Sequence, residues 1–215
     1  MFWQQVILID NFYHDPYLVR SFALNDGVEP LGQGNYAGRM SNHTFFDKSY
    51  ETVFRHLTNE KVVESGGFCG RFRFTTVSDT MTQYIHFDPA PGQIWAGLVY
   101  LSLQQDIDSA ESTTNHCGTE FWQHRRTGLD CIPLCQDQQR RHGFHDLRVF
   151  LETDGLDPSL WNQTLYVPPR FNRMVLFRPW MFHSPGHGFG TTRENCRLVQ
   201  LFFLKMSDDT GGSTS

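Results

Sequence analysis

The sequence contains few charged residues and no surplus of basic ones. Asp, Glu, Lys and Arg make up 19% of its 215 residues, and the formal net charge is −5. A protein dedicated to nucleic acid usually presents a basic face of clustered Lys and Arg. The acidic balance therefore argues against nucleic acid as a partner.

Paired cysteines and long apolar runs are also missing. The five cysteines are odd in number and include no Cys-x-x-Cys pair, which is typical of a reducing compartment. The opening MFWQQVILID has neither a basic segment nor a cleavage-site pattern, so we do not expect a signal peptide. No apolar run approaches the roughly 20 residues that a transmembrane helix needs. These absences predict a cytoplasmic protein with no membrane association.

Large aromatic side chains, by contrast, are abundant. The chain has 19 Phe, enough apolar surface to bury a substantial core. Internal repeats are absent, and only the tail SDDTGGSTS (207–215) has the composition of a disordered segment. We expect one domain over residues 1–206, with an N-terminal α/β support in 1–78 and a β-rich core in 79–206.

Helical signals cluster near the N-terminus, after a first strand around Val6. Asp15 and Pro16 can serve as the N-cap and first residue of a helix. The apolar residues that follow at helical spacing are Leu18, Val19, Phe22 and Ala23. A second helix is predicted to begin near Ser49, where the apolar spacing is again helical.

From about Phe68 onward the pattern changes to short strands separated by turn residues. The predicted strands are 68–76, 81–87, 94–103, 118–123, 164–167, 173–177 and 196–204. Many short strands of this kind are typical of a sandwich or a jelly roll. The fold class is therefore expected to be mainly β with N-terminal helices.

The segment 125–160 interrupts this pattern, because it is polar and weakly periodic. A long irregular insertion in a compact β domain typically forms a lid or a substrate loop. Its Cys131, Cys135, His142 and His145 could form a structural zinc site, although their spacing matches no zinc pattern. Four residues at its start could line a substrate entrance or form a solvated strand end: Trp122, His124, Arg125 and Arg126.

The most informative motif is YIHFDP, residues 84–89. Side chains alternate along a strand, so His86 and Asp88 project to the same face. A third ligand is expected from His183, which follows the predicted strand 173–177. Two histidines and one carboxylate form the ligand set of non-haem iron(II) oxygenases. The alternative is an ordinary His86–Asp88 hydrogen-bonded pair, with His183 capping a loop.

The order of motifs over residues 80–205 resembles the iron(II)/2-oxoglutarate-dependent oxygenase superfamily, and within it the prolyl-hydroxylase-like branch. The matching segments are HFD (86–88), GLVYLS (97–102), CGTEFW (117–122), MVLFRPWMFHS (174–184) and CRLVQLFF (196–203). The resemblance implies a double-stranded β-helix (jelly roll) that holds Fe(II) at its open end. It also implies 2-oxoglutarate and O2 as cosubstrates.

The resemblance further implies a buried cation for the distal carboxylate of 2-oxoglutarate. Arg193 has the commoner spacing from the distal histidine, whereas Arg197 opens the apolar strand RLVQLFF, where the basic residue of the family lies. We favour Arg197. Tyr100 is implied to donate its hydroxyl to the same carboxylate, although it could equally be an aromatic residue that fills the barrel.

The implied reaction is hydroxylation of a C–H bond in an amino acid, a peptide or a small metabolite. Succinate and CO2 are the coproducts. Asp88 favours hydroxylation over halogenation, because Gly or Ala at this position would open a coordination position for halide. The alternative function is a non-catalytic, metal-binding module of the cupin type, and succinate formation coupled to a substrate distinguishes the two.

Overall fold

The computed structural model of the chain describes residues 5–31, 37–79, 85–88, 92–114 and 116–207. Within these residues the protein is mainly β, with antiparallel sheets and a few helices. Of the predicted tail 207–215, only Ser207 lies within the described residues. Residues 81–84 of the predicted strand 81–87 also lie outside them.

The first two helices form where the sequence supplies start signals and a spaced apolar face. Helix α1 spans Pro16–Asn25, and the carboxylate of Asp15 accepts a hydrogen bond from the Leu18 amide at 3.0 Å. Helix α2 spans Ser49–Thr58. Both agree with the sequence-based predictions. Their buried apolar residues are Val19, Ala23 and Phe54.

The described residues contain eleven strands. In chain order they are β1 (Val6–Ile9), β2 (Val28–Pro30), β3 (Arg39–Ser41), β4 (Val62–Glu64), β5 (Phe72–Thr75), β6 (Gln93–Tyr100), β7 (Thr119–His124), β8 (Trp161–Val167), β9 (Met174–Phe177), β10 (His183–Pro185) and β11 (Arg197–Met206). Six of the seven predicted strands correspond to β5, β6, β7, β8, β9 and β11. The predicted first strand is β1, which lies at a sheet edge.

The strands form two antiparallel sheets. The larger has the order β1-β9-β6-β11-β5-β3-β2, and β4 also pairs with β11. The smaller has the order β10-β7-β8. Residues 85–88 join the smaller sheet through a bridge between His86 and His183. Both histidines of the predicted metal site therefore lie at the same edge of the smaller sheet.

Alternation along β11 divides the core between two faces of the larger sheet. Leu198 and Phe202 point to one face, where they pack in a cluster with Phe54 of α2. Val199 points to the other face, where it packs in a cluster with Phe121 of the smaller sheet. Because side chains alternate along a strand, every second residue of β11 faces the space between the two sheets.

Three further helices were not anticipated from the sequence. They are α3 (Gln104–Thr114), α4 (Gln136–Arg141) and α5 (Leu147–Thr153). The last two lie in the insertion 125–160, which is more ordered than the expected irregular loop. Helix α4 has no buried residue, so it lacks the apolar stripe by which an amphipathic helix is detected.

Two findings bear on the expected environment of the protein. None of the five cysteines, all of which are described, forms a disulfide. No helix among the described residues has both the length and the apolar character needed to cross a membrane.

Candidate metal centre

Backbone hydrogen bonds hold the two segments that carry the predicted ligands side by side. The amide of His86 donates to the carbonyl of His183 at 2.9 Å, and the amide of His183 donates back at 2.8 Å. The amide of Asp88 donates to the carbonyl of Pro179 at 2.7 Å. These bonds fix the register of the His-x-Asp segment against β10. The side chains of His86 and Asp88 therefore converge with that of His183, which is distant in the sequence.

His86, Asp88 and His183 offer ligand atoms that all lie within 4.8 Å of one another. The Asp88 carboxylate oxygens lie 3.8 Å from Nε2 of His86 and 3.6 Å from Nε2 of His183. Ligands each about 2.1 Å from one ion are separated by about 3–4 Å, so the spacing suits a metal. Among the described residues, these three form the only such group of His, Cys, Asp and Glu.

The hydrogen bonding of His183 and the burial of Asp88 both bear on how the site could hold a cation. Nδ1 of His183 lies 2.9 Å from the carbonyl oxygen of Met181. That contact favours a proton on Nδ1, which leaves the lone pair of Nε2 directed at the group. Burial raises the pKa of Asp88, and the nearby His183 partly offsets the increase. A bound cation would stabilise the charged carboxylate further.

The three residues line a narrow cleft between the two sheets, with a cavity volume of about 70 Å³. Most of its wall is apolar, and the charged residues that line it besides the three candidate ligands are Arg73 and Arg197. The buried Arg197 gives the cleft a positive charge that suits a small anionic group.

Arg197 is buried in this cleft with part of its hydrogen-bonding capacity unused. Its side chain is 2% exposed, and Nε donates to the carbonyl of Cys117 at 3.0 Å. Its Nη2 is buried and has no hydrogen-bond partner within the described residues. Because an unsatisfied buried donor is costly, this atom indicates a place for an anionic acceptor.

Tyr100 lies beside Arg197. Its hydroxyl is 2.7 Å from Oγ1 of Thr119, a residue of the cleft wall. The guanidinium carbon of Arg197 lies 5.6 Å from the centre of the Tyr100 ring. Burial raises the pKa of Tyr100, and Arg197 partly offsets the increase. The two hydroxyls and the guanidinium therefore form one polar group in an apolar surrounding.

Arg193 lies elsewhere. Its Nη2 donates to the carbonyls of Ala23 and Asp26, both at 2.6 Å, and its guanidinium lies over the ring of Phe74. It joins the loop before β11 to the end of α1 and is not among the residues that line the cleft. Only Arg197 of the two candidates shares a cavity with the three metal-ligand candidates.

The sequence reasoning missed Arg73, which is 6% exposed and lines the same cleft. Its Nε and Nη2 both donate to the carbonyl of Ala37, at 3.3 and 2.9 Å. The alternation of apolar and basic residues in the segment FRF (72–74) could have indicated it. Phe72 and Phe74 pack in the cluster on the helix side of the sheet, so alternation directs Arg73 to the cleft side.

The residues proposed for a substrate entrance are not part of this cleft wall. His124 is fully buried, and its Nε2 lies 3.2 Å from the carboxylate of Asp154. Arg125 donates to the carbonyl of Trp161 at 3.0 Å, while Arg126 lies 3.4 Å from Asp154 at the surface. The fourth of these residues, Trp122, donates from Nε1 to the hydroxyl of Ser184 at 3.0 Å. Trp122 thus contacts Ser184 of the cleft wall, while the buried His124 does not fit the alternative of a solvated strand end.

The possible zinc site in the insertion is also not formed. Cys131, Cys135, His142 and His145 are all described, and they are not gathered as a ligand group. Cys131 pairs through its backbone with Met181, whereas Cys135 is exposed before α4 and the two histidines are exposed after it. Helix α4 lies between Cys135 and His142, so it separates these donors although they are near each other in the sequence.

Comparisons with known proteins agree with the fold. One family model, described as a family of unknown function (DUF6445), matches residues 3–187. No curated protein matches the chain. Among solved structures, the chain is similar to SnoN, a non-heme alpha ketoglutarate dependent epimerase from nogalamycin biosynthesis. The two sequences are 12% identical, and the match covers 94% of this chain and 78% of SnoN with a TM-score of 0.51. It is also similar to SnoK, a non-heme alpha ketoglutarate dependent carbocyclase from the same biosynthesis, with 11% identity over 95% and 81% (TM-score 0.51).

Proposed function

The chain belongs to the DUF6445 family, and we propose that it is an Fe(II)- and 2-oxoglutarate-dependent oxygenase. One observation carries the proposal. A group of two histidines and one carboxylate shares a cleft with Arg197, a buried arginine that has an unpartnered N–H. The two histidines and the carboxylate suit a redox metal. The unpartnered N–H of Arg197 suits the distal carboxylate of a dicarboxylic cosubstrate.

The arrangement of strands supports a double-stranded β-helix. The order β9-β6-β11-β5 in one sheet faces the smaller sheet, whose β10 edge is extended by residues 85–88. SnoN and SnoK, which are alpha ketoglutarate dependent, have a similar fold. Within such folds we propose the prolyl-hydroxylase-like branch, on the order of the motifs along the chain. The cysteines without disulfides support a cytoplasmic location.

His86, Asp88 and His183 are the residues that would hold iron(II). Three ligands on one face leave coordination positions open for a cosubstrate and for O2. When bound, iron supplies the activation of O2 that protein side chains alone cannot provide. The side chains are only 8%, 16% and 7% exposed, so the chain itself keeps bulk water away from the metal.

Arg197 would bind the distal carboxylate of 2-oxoglutarate. Its planar guanidinium can donate to both carboxylate oxygens, and Nη2 is the buried donor that lacks a partner in the described residues. The hydroxyls of Tyr100 and Thr119, which are 2.7 Å apart, can add a further donor. Apolar residues of the cleft wall, among them Leu98 and Val199, strengthen these contacts by excluding water.

We propose hydroxylation of a C–H bond in an amino acid, a peptide or a small metabolite, which yields succinate and CO2. With iron bound, the carboxylate of Asp88 would take the coordination position that halide needs, which favours hydroxylation over halogenation. Arg73 adds a second cation to the cleft.

The test is an anaerobic titration of metal-free protein with iron(II) and then with 2-oxoglutarate. We expect the weak visible absorption band of iron(II) chelated by 2-oxoglutarate to appear with the wild-type protein. Asp88→Ala should weaken the band by lowering the affinity for iron, because only two of the three candidate ligands remain. Absence of the band in folded, iron-loaded wild-type protein would instead favour a non-catalytic metal-binding module.

A further inference from the structure

The residues that alternate with the metal-ligand candidates face away from the cleft. Ile85, Phe87 and Phe182 are 2%, 4% and 0% exposed, and each immediately precedes or follows a candidate ligand. All three belong to one buried cluster, which we call the rear cluster. Its members are Ile85, Phe87, Ile132, Phe144, Phe150, Trp161 and Phe182. Ile132, Phe144 and Phe150 come from the insertion 125–160, so the insertion packs directly behind the ligands.

Phe182 is the centre of the rear cluster. Its ring centroid lies 6.2 Å from that of Phe87 and 4.9 Å from that of Trp161. The rings of Phe150 and Phe144 lie 5.9 and 6.5 Å from it. Because close-packed interiors transmit small displacements, a shift of the insertion would move the backbone of both ligand-bearing segments.

Backbone hydrogen bonds reinforce this packing. The amide of Ile85 donates to the carbonyl of Gly155 at 3.1 Å, which ties the His-x-Asp segment to the end of the insertion. The amide of Phe182 donates to the carbonyl of Asp130 at 2.9 Å. The amide of Ile132 donates to the carbonyl of Trp180, also at 2.9 Å. Both ligand-bearing segments are thus bonded to the insertion next to the ligands themselves.

We infer that the insertion 125–160 is a buttress that positions the metal ligands, rather than a lid over the cleft, and that Phe150 is a positioning residue for the metal. This inference rests on the proposed metal site. Phe150 lies in α5, is 6% exposed and packs against the ligand-bearing segments in the rear cluster, with its ring 5.9 Å from that of Phe182. It is not among the residues of the cleft wall, so its effect on the metal must be indirect.

The test compares Phe150→Ala, Phe150→Leu and Phe54→Ala by calorimetric titration of metal-free protein with cobalt(II). Phe54 is a fully buried Phe in the cluster on the helix side of the larger sheet, and Phe54→Ala is the matched control. We expect Phe150→Ala to weaken cobalt binding by about tenfold or more, as for the loss of groups that support a ligand. Phe150→Leu should keep cobalt affinity within about threefold of wild type. Phe54→Ala should lower the melting temperature and leave cobalt affinity unchanged.

A measurement on the wild-type protein covers the case in which Phe150→Ala does not fold. Coupling between two sites is reciprocal, so bound cobalt should slow amide hydrogen exchange at Ile132 and Phe150 more than at Phe54. Unchanged exchange in the insertion, or equal weakening of cobalt binding by Phe150→Ala and Phe54→Ala, would overturn the inference. Failure of the wild-type protein to bind cobalt would instead remove the proposed metal site on which the inference rests.

Discussion

Replacing His183 by Ala is expected to abolish iron binding and succinate formation together. His183 supplies one of three ligands, and Nε2 lies 3.6 Å from the Asp88 carboxylate. Loss of a group that merely supports a ligand typically weakens metal binding by 10–100-fold, so loss of the ligand itself should cost at least about a hundredfold. His86→Ala should behave in the same way. Titration with iron(II) and assay of succinate on the same preparations check both variants.

His43→Ala is the matched control for this prediction. Nδ1 of His43 lies 2.7 Å from the carboxylate of Asp26, so these two residues form a His–Asp pair outside the cleft. Among the residues that the structure describes, no third ligand joins that pair, and the His43 side chain is 76% exposed. His43→Ala should therefore bind iron like the wild type. Retained iron affinity in folded His183→Ala would contradict the assignment of the metal site.

Local patterns were sufficient to predict those parts of the fold that depend on near neighbours in the chain. Asp15 and Pro16 start α1 because a cap and a proline act on the adjacent turn. Alternation predicts β5 and β11, since one face of each strand is buried against helices. The same alternation places His86 and Asp88 on a common face. Each of these inferences needs only residues that lie within one turn or a few strand positions.

The parts that the sequence did not predict depend on contacts between distant segments. The polar surface of α4 and the spacing of Cys131 and His142 suggest a loose loop, and nothing local shows that Phe144 and Phe150 pack against Phe182. The number of residues between His183 and a basic residue also leaves the cosubstrate anchor open. That choice depends on how the loop before β11 folds, and the carbonyls of Ala23 and Asp26 hold Arg193 away from the cleft.

Arg197→Gln is expected to raise the concentration of 2-oxoglutarate needed for half-saturation by at least about thirtyfold. Removing one partner of a buried, hydrogen-bonded charge pair typically costs about 2–5 kcal/mol, and about 2 kcal/mol corresponds to that factor. Iron affinity should persist, because the three metal ligands are untouched. Arg197→Lys should restore part of the affinity, since it keeps the charge but loses the two-pronged geometry. Titrations followed by the visible band of the iron chelate measure the 2-oxoglutarate half-saturation and the iron affinity of each variant.

Arg193→Gln and a shorter cosubstrate analogue make this prediction specific. Arg193→Gln should lower the melting temperature, because its contacts to α1 are lost, and should leave 2-oxoglutarate affinity unchanged. 2-Oxobutyrate lacks the distal carboxylate, so Arg197→Gln should bind it as weakly as the wild type does. If Arg193→Gln instead raises the 2-oxoglutarate requirement and Arg197→Gln does not, the anchor is Arg193. If Arg197→Gln weakens both ligands equally, Arg197 supports the shape of the cleft and does not contact the distal carboxylate.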